Sequence, residues 1–192
     1  MVRHASHDRL GKVLCGRMDG VTLSAQGLAE ADALSRRLAG EDLAGVYASP
    51  LERAQQTAAP IAAIHGLPVQ TDLDLTELAV GAWTGLSFDA LHADPSWAVW
   101  NRARGVARTP GGESMLEGQV RAATFLNRMQ DLHPDGVIAA VSHGDVIKAA
   151  LSLVLGLPLD QHDRFEISPA SISTIVIGGW GAKVHNVNEV AA

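Results

Sequence analysis

Cysteine is almost absent: Cys15 stands alone in 192 residues, which excludes an intrachain disulfide and any paired-cysteine zinc site. Its solitude agrees with a reducing compartment. Positive charge is not in excess either, since 15 Lys and Arg face 21 Asp and Glu for a formal net charge of −6. That balance argues against nucleic acid or an anionic membrane as partner, so an anionic ligand must meet a local cluster of cations. Long apolar runs are missing. The most apolar stretch, 149–157, is too short to span a bilayer, and no basic region followed by an apolar core opens the chain. No internal repeat or low-complexity linker divides the sequence. What is present is 47% hydrophobic residues, enough for one domain with a real core, expected to be soluble and cytoplasmic.

Periodicity supplies the elements. Leu28, Ala31, Leu34 and Leu38 share a helical stripe, with Ser24 as N-cap and Gly40 just past the end. The run 45–48 predicts a strand that feeds Ser49-Pro50-Leu51-Glu52, a capping-box pattern opening a helix through Arg53, Thr57 and Ile61 to about His65. A turn at 66–68 leads to a strand at 69–71. Between 72 and 112 the periodicity weakens and three of the four Trp appear (Trp83, Trp97, Trp100), which predicts loops and short helices forming a cap-like insertion over an opening. A second capping box, Ser114 to Glu117, starts a long helix expected to bury Leu116, Val120, Ala123, Phe125 or Leu126, and Met129. The run 137–141 reads as a strand buried on both faces, followed by the polar turn Ser142-His143-Gly144-Asp145 and a further helix. Closing strands are expected at 172–177 and 182–185, with 188–192 a loose end. Only Met1 and Val2 precede Arg3, so the first strand is short, and a few added apolar residues ahead of it are expected to stabilise the fold.

Strands alternating with helices predict a three-layer α/β/α fold, doubly wound around a mostly parallel sheet, with ligands beyond the carboxyl ends of the strands. The polar candidates fall there. Arg3 and His4 follow one strand, Arg53 lies in the first turn after another, His143 sits at the turn after a third, and Glu77 lies at the edge of the cap. Phosphoryl transfer from a monoester needs such a set, because a dianion must be held, a leaving oxygen protonated and a nucleophile presented in line. Guanidinium forks match phosphate oxygens, helix N-termini add donors, a neutral imidazole can attack, and a carboxyl group of raised pKa can protonate an alkoxide.

Taken together these residues resemble the histidine phosphatase superfamily, or phosphoglycerate mutase-like proteins. The similarity covers nearly the whole chain. An N-terminal Arg-His-Gly signature is matched by Arg3-His4-Ala5, and a Ser-Pro-Leu-x-Arg-Ala-x-x-Thr-Ala segment by Ser49 to Ala58. Leu-x-Glu and Gly-x-Trp-x-Gly are matched by Leu75 to Glu77 and Gly81 to Gly85, Pro-Gly-Gly-Glu-Ser by Pro110 to Ser114, and Ser-His-Gly by Ser142 to Gly144. The resemblance implies His4 as a nucleophile that becomes phosphohistidine, Arg3, Arg53 and His143 as phosphoryl ligands beside Gly144, and Glu77 as general acid and base. It implies no metal and no organic cofactor.

The departures are local. Ala5 replaces the usual Gly, and His7 and Leu10 stand where a Thr and an Asn are common. Arg17 falls on a loop at the pocket mouth, where it is either a contact for a second anionic group or a solvated side chain. A metal reading would join His4 and His7 to His143 or His185, but no carboxylate falls beside them in a ligand pattern. The expected activity is a phosphomonoesterase acting on a small phosphorylated substrate. The alternatives are a mutase-like phosphotransferase and an inactive phosphate-binding scaffold. A homodimer is the base-rate assembly.

Overall fold

The computed structural model describes residues 1–190. In chain order the strands are β1 (Val2–Arg3), β2 (Leu43–Ala48), β3 (Val69–Thr71), β4 (Val137–Ser142), β5 (Ser171–Gly178) and β6 (Gly181–Val190). The helices are α1 (Ala25–Leu38), α2 (Glu52–Ile64), α3 (Phe88–His92), α4 (Pro95–Arg102), α5 (Met115–Leu132) and α6 (Gly144–Leu155). One sheet runs in the order β3-β2-β4-β1-β5-β6; its first four strands are parallel, and β5 is antiparallel to both of its neighbours. The fold is α/β, as the alternation of elements predicts.

Strand alternation divides the core between the two faces of the sheet. Val46, Ala48, Ala139 and Val141 pack against Leu34 and Leu38 of α1 and Ala58 and Ile61 of α2. Tyr47 and Ala140 point the other way, toward Phe125 and Met129 of α5, while Ile147 and Leu151 of α6 fill the space near Ile175. A further cluster around Trp83 joins Leu78, Leu91 and Trp100 to Met115 of α5 and Ala149 of α6; the Trp83 ring meets Trp97 edge-on at 5.3 Å and its indole N–H donates to Asp94 at 2.9 Å. Among the described residues no helix is long and apolar enough to cross a membrane.

Four expectations change. Leu28 is 55% exposed, because Gly27 takes the inward position: the Ser6 carbonyl lies where a Cβ on Gly27 would be, 1.9 Å away. The capping box of α5 is present, yet its buried face is Met115, Gly118, Ala122, Phe125 and Met129, leaving Leu116 and Val120 at 48% and 58% exposure. Large apolar residues occupy both stripes, so the cap fixes where the helix starts and not its rotation. α2 begins at Glu52 with Leu51 as N-cap and no side-chain cap, because Ser49 is engaged elsewhere. Finally, β6 continues through Asn188 to Val190, with register shifts against β5 and a left-handed Asn188 (φ 60°); residues 191–192 lie outside the described range.

Candidate active site

Register brings the site together. Arg3 pairs with Ser142 and Ala48 with Val141, so the residues that follow, His4, Ser49 and His143, leave three adjacent parallel strands at one level. The His4 amide donates to the Ser142 carbonyl at 2.9 Å, fixing the first of these turns to the last. The Ala5 amide donates to Thr57 Oγ1 at 3.0 Å, and that hydroxyl donates to the Arg53 carbonyl at 2.7 Å. The two motifs thus share a hydrogen-bond chain. Ala5 is fully buried in the core, so the methyl group that replaces a glycine hydrogen is accommodated by packing.

His4 is buried, and its Nδ1 lies 2.9 Å from the Ala5 carbonyl. A carbonyl only accepts, so Nδ1 carries the proton and Nε2 keeps its lone pair. Burial first, then Arg53, holds the ring well below the usual imidazole pKa, so it stays neutral. His143 lies beside it, with ring centroids 5.1 Å apart. Its Nε2 is 2.7 Å from Ser49 Oγ, and that hydroxyl already accepts from the Leu51 amide at 3.3 Å. With the Ser49 hydroxyl donating to Nε2, the His143 proton sits on Nδ1, which is buried and engages no group among the described residues.

Two guanidinium groups close around these rings. Arg53 is buried in the first turn of α2 and donates through Nη2 to the Gly16 carbonyl at 2.7 Å, while its Nε and Nη1 have no acceptor among the described residues. Arg3 is anchored through Nη1 to the Ile167 carbonyl at 2.5 Å, and its Nε has none. Gly144, the first residue of α6, lies in ordinary contact with the Arg3 guanidinium: a Cβ there would sit 3.7 Å from Arg3 Cζ. His7 stacks on His4 at 5.3 Å, also with a buried and unpartnered Nδ1, and its pKa is pushed down to about 4 by burial and by Arg53.

Glu77 lies within the field of Arg53 and Arg3. Its pKa is pushed up to about 7, mainly by burial and next by the Asp145 carboxylate; the Leu78 amide, which donates to its Oε1 at 2.9 Å, and the two arginines pull the other way. Its backbone is held by a lattice of charged side chains. Arg17 Nε donates to the Glu77 carbonyl at 2.7 Å and Arg17 Nη2 to Glu113 at 2.9 Å. The same Glu113 oxygen accepts from the Ala79 amide at 2.9 Å and from Arg121 Nη2 at 3.1 Å, while Arg121 Nη1 donates to the Asp74 and Thr76 carbonyls. Arg17 thus spends its Nε and Nη2 on protein acceptors and stays partly exposed. Arg3, His4, Arg53, His143 and Gly144 gather in one place, Glu77 stands close by, and Arg17 braces the loop that carries it. His185 lies apart, on β6. Sequence reasoning missed the parts played by Ser49, Glu113, Arg121 and Asp145. Glu113 could have been noticed within the Pro110 to Ser114 motif; Arg121 carried no local signal.

A neutral imidazole with a free Nε2, beside guanidinium and imidazole donors and near a carboxyl group whose pKa is raised to about 7, has the chemistry to hold an oxyanion and move a proton at the carboxyl ends of the parallel strands. The sequence profile of the histidine phosphatase superfamily (branch 1) matches residues 1–190, and the chain belongs to that superfamily. An uncharacterized protein from Mycobacterium tuberculosis is 35% identical over 184 residues, covering 93% of this chain and 89% of its own. The Yersinia pestis protein named "Probable phosphoglycerate mutase GpmB" is 32% identical over 154 residues, covering 78% of this chain and 70% of its own. A mycobacterial glucosyl-3-phosphoglycerate phosphatase, solved in complex with inorganic phosphate, superposes with a TM-score of 0.87 at 27% identity, covering 100% of this chain and 96% of that one.

Proposed function

We propose that this chain is a phosphomonoester hydrolase that works through a phosphohistidine on His4. The observation that carries this reading is the set of buried donors without protein partners, Arg3 Nε, Arg53 Nε and Nη1, and His143 Nδ1, arranged around an imidazole whose Nε2 is free to attack. Each such group costs on the order of 1–3 kcal/mol when left unsatisfied, so the arrangement is matched to an anion with several acceptor oxygens.

In this reading the non-bridging phosphoryl oxygens accept from Arg3, Arg53 and His143, and the amides at the start of α6 add a positive dipole end beside Gly144. His4 Nε2 attacks phosphorus in line, a P–N bond forms as the P–O ester bond breaks, and protonated Glu77 gives its proton to the departing alkoxide. Glu77, now a carboxylate, takes a proton from water; that water attacks phosphorus, the P–N bond breaks, and inorganic phosphate leaves with Glu77 reprotonated. Residues 72–112 act as a cap that carries Glu77 and limits access to small phosphorylated substrates. One unpaired, buried cysteine fits a cytoplasmic enzyme.

Rapid trapping with a labelled phosphomonoester, quenched without acid because a phosphoramidate is acid-labile, checks the intermediate. Wild type is expected to carry label on protein, and His4→Ala to carry none while turnover falls by roughly 10³-fold or more. Equal label and turnover in the two proteins refute the mechanism. The similarity to a protein named as a phosphoglycerate mutase favours one second reading, phosphoryl return to a reoriented intermediate. Product analysis separates the two: free phosphate supports hydrolysis, an isomerised substrate supports transfer.

A further inference from the structure

Phosphoryl binding and proton transfer use Arg3, His4, Arg53, Glu77 and His143, and leave one charged group beside them without a part. That group is Asp145, the second residue of α6. Gly144, immediately before it, touches the Arg3 guanidinium, so Asp145 stands one residue from a phosphoryl ligand. Its carboxylate is the second influence on Glu77, after burial, and it also acts on Arg3. Burial is in turn the strongest influence on Asp145, although Arg104, His162 and Lys148 together outweigh it and hold the carboxyl group below its ordinary pKa. Yet 31% of the side chain is exposed. A group that is both deep and wetted lines a recess, and Glu77, deep and half-buried, lines it too.

The cations around Asp145 are covered or drawn aside. Arg104 donates through Nη1 to Asp145 Oδ2 at 3.2 Å and through Nη2 to Asn101 at 2.9 Å, and its Cζ lies 4.4 Å from the centre of the Trp100 ring. Its side chain is only 7% exposed. Lys148, one turn along α6, holds its ammonium 6.0 Å from the centre of the Phe165 ring. His162 is buried, and burial and then Arg104 hold its pKa below the imidazole value, so it adds no charge at neutral pH. The Arg104–Asp145 pair therefore presents its negative end. One Asp145 oxygen is held by Arg104, and the other has no partner among the described residues.

We propose that Asp145 selects the alcohol of the substrate: its free oxygen accepts a hydrogen bond from a donor on the leaving alcohol, a hydroxyl or an ammonium group, and it rejects alcohols that carry a carboxylate there. This rests on the hydrolase reading, in which Glu77 protonates the leaving oxygen, so the alcohol departs along the wall that Glu77 and Asp145 share. A donor satisfies an oxygen that lacks a partner. A second anion would instead meet a like charge in a recess where water screens little.

Two phosphomonoesters that differ only in a terminal group test this: glycerol phosphate, which ends in a hydroxymethyl group, and 3-phosphoglycerate, which ends in a carboxylate. In the wild type, kcat/KM for glycerol phosphate is expected to exceed that for 3-phosphoglycerate by roughly tenfold or more. Asp145→Asn keeps an acceptor oxygen but removes the charge, and should shrink that ratio by roughly tenfold or more. The ratio cancels any change in Glu77 acidity or in the fraction folded, because both act on the two substrates alike. A wild-type preference for 3-phosphoglycerate, or a ratio indifferent to Asp145→Asn, overturns the proposal. Phosphoethanolamine against propyl phosphate identifies the donor: a preference for the amine that Asp145→Asn removes assigns an ammonium, and its absence beside a preserved glycerol phosphate effect assigns a hydroxyl. Calorimetric Kd values for the first pair, measured in His4→Ala with and without Asp145→Asn, need no turnover. If they show the ratio while the wild type releases no phosphate, the subsite stands and hydrolysis falls; release from both substrates at a ratio that ignores Asp145 means the reverse.

Discussion

The first chemical step needs His4 neutral and Glu77 protonated at the same pH. Burial and neighbouring cations hold His4 below the usual imidazole range, whereas burial and Asp145 lift Glu77 to about 7. The rate of the first step is therefore expected to fall as pH rises through about 7, when the acid is lost, and to persist on the acid side to below pH 6.5. Glu77→Gln keeps the Oε1 acceptor for the Leu78 amide but cannot donate a titrating proton, so kcat on an alkyl phosphate should drop by roughly 10²–10⁴-fold and the limb near pH 7 should vanish. With an aryl phosphate whose leaving group needs no proton the loss should be much smaller, and an equal loss on both substrates would remove Glu77 from the acid role. Ser49 gives a second measurement. Its contact with His143 puts the imidazole proton on Nδ1. Ser49→Ala should therefore raise KM for the phosphoester by roughly tenfold, and it should lower Tm by roughly 2–8 °C, because His143 Nε2 and the Leu51 amide lose a buried partner.

At the scale of elements, the site is assembled by strand register and then tuned by charged side chains from the loop that carries Arg17 and from the start of α5. The first of these was legible in the sequence. Apolar runs ending in Arg3-His4, Ser49-Pro50 and Ser142-His143 are local patterns, and parallel strands bring their carboxyl ends level. The rotation of α5 was not legible, because two apolar stripes compete and Leu78 decides between them only in three dimensions: a Cβ on Gly118 would lie 2.4 Å from Leu78 Cδ2. Nor was the lattice behind Glu77, since Arg17 stands 96 positions from Glu113 and meets it only in the folded chain. That lattice carries its own expectation. Glu113→Ala removes the common acceptor of Arg17, Arg121 and the Ala79 amide, which frees the loop bearing Glu77 without touching the phosphoryl ligands. Steady-state kinetics should show kcat down by roughly 10²-fold with KM within about twofold, the signature of a misplaced acid. A rise in KM with unchanged kcat would mean that Glu113 acts on binding instead.

For the whole molecule, the same burial that prepares the site makes stability depend on pH in two opposing ways. His4 and His143 are held well below 6.5 and His7 at about 4, so below pH 6.5 the unfolded chain binds protons that the native state refuses. Their contribution is present above pH 6.5 and is lost as pH falls from there. Glu77 has the opposite sign: raised to about 7, it favours the native state below pH 4.5, and that contribution is lost between pH 4.5 and 7. Three imidazoles outweigh one carboxyl group in the shared window, and the buried Met1 ammonium, lowered from its ordinary 8 to about 6, has the same sign as the imidazoles, so Tm should climb from pH 5 to 6.5 and continue to rise more gently toward pH 8. Inorganic phosphate should reverse the acid-side loss. A bound anion stabilises protonated imidazoles beside it and satisfies donors that have no protein partner, and at a hundredfold excess over Kd it adds about 2.7 kcal/mol, or roughly 5–10 °C. The increment at pH 5.5 should exceed that at pH 8, and Arg53→Met, which removes two of the unpartnered donors, should abolish most of it at both. Thermal melts at the two pH values, with and without phosphate, decide the matter: an increment that does not depend on Arg53 would place the anion outside this pocket.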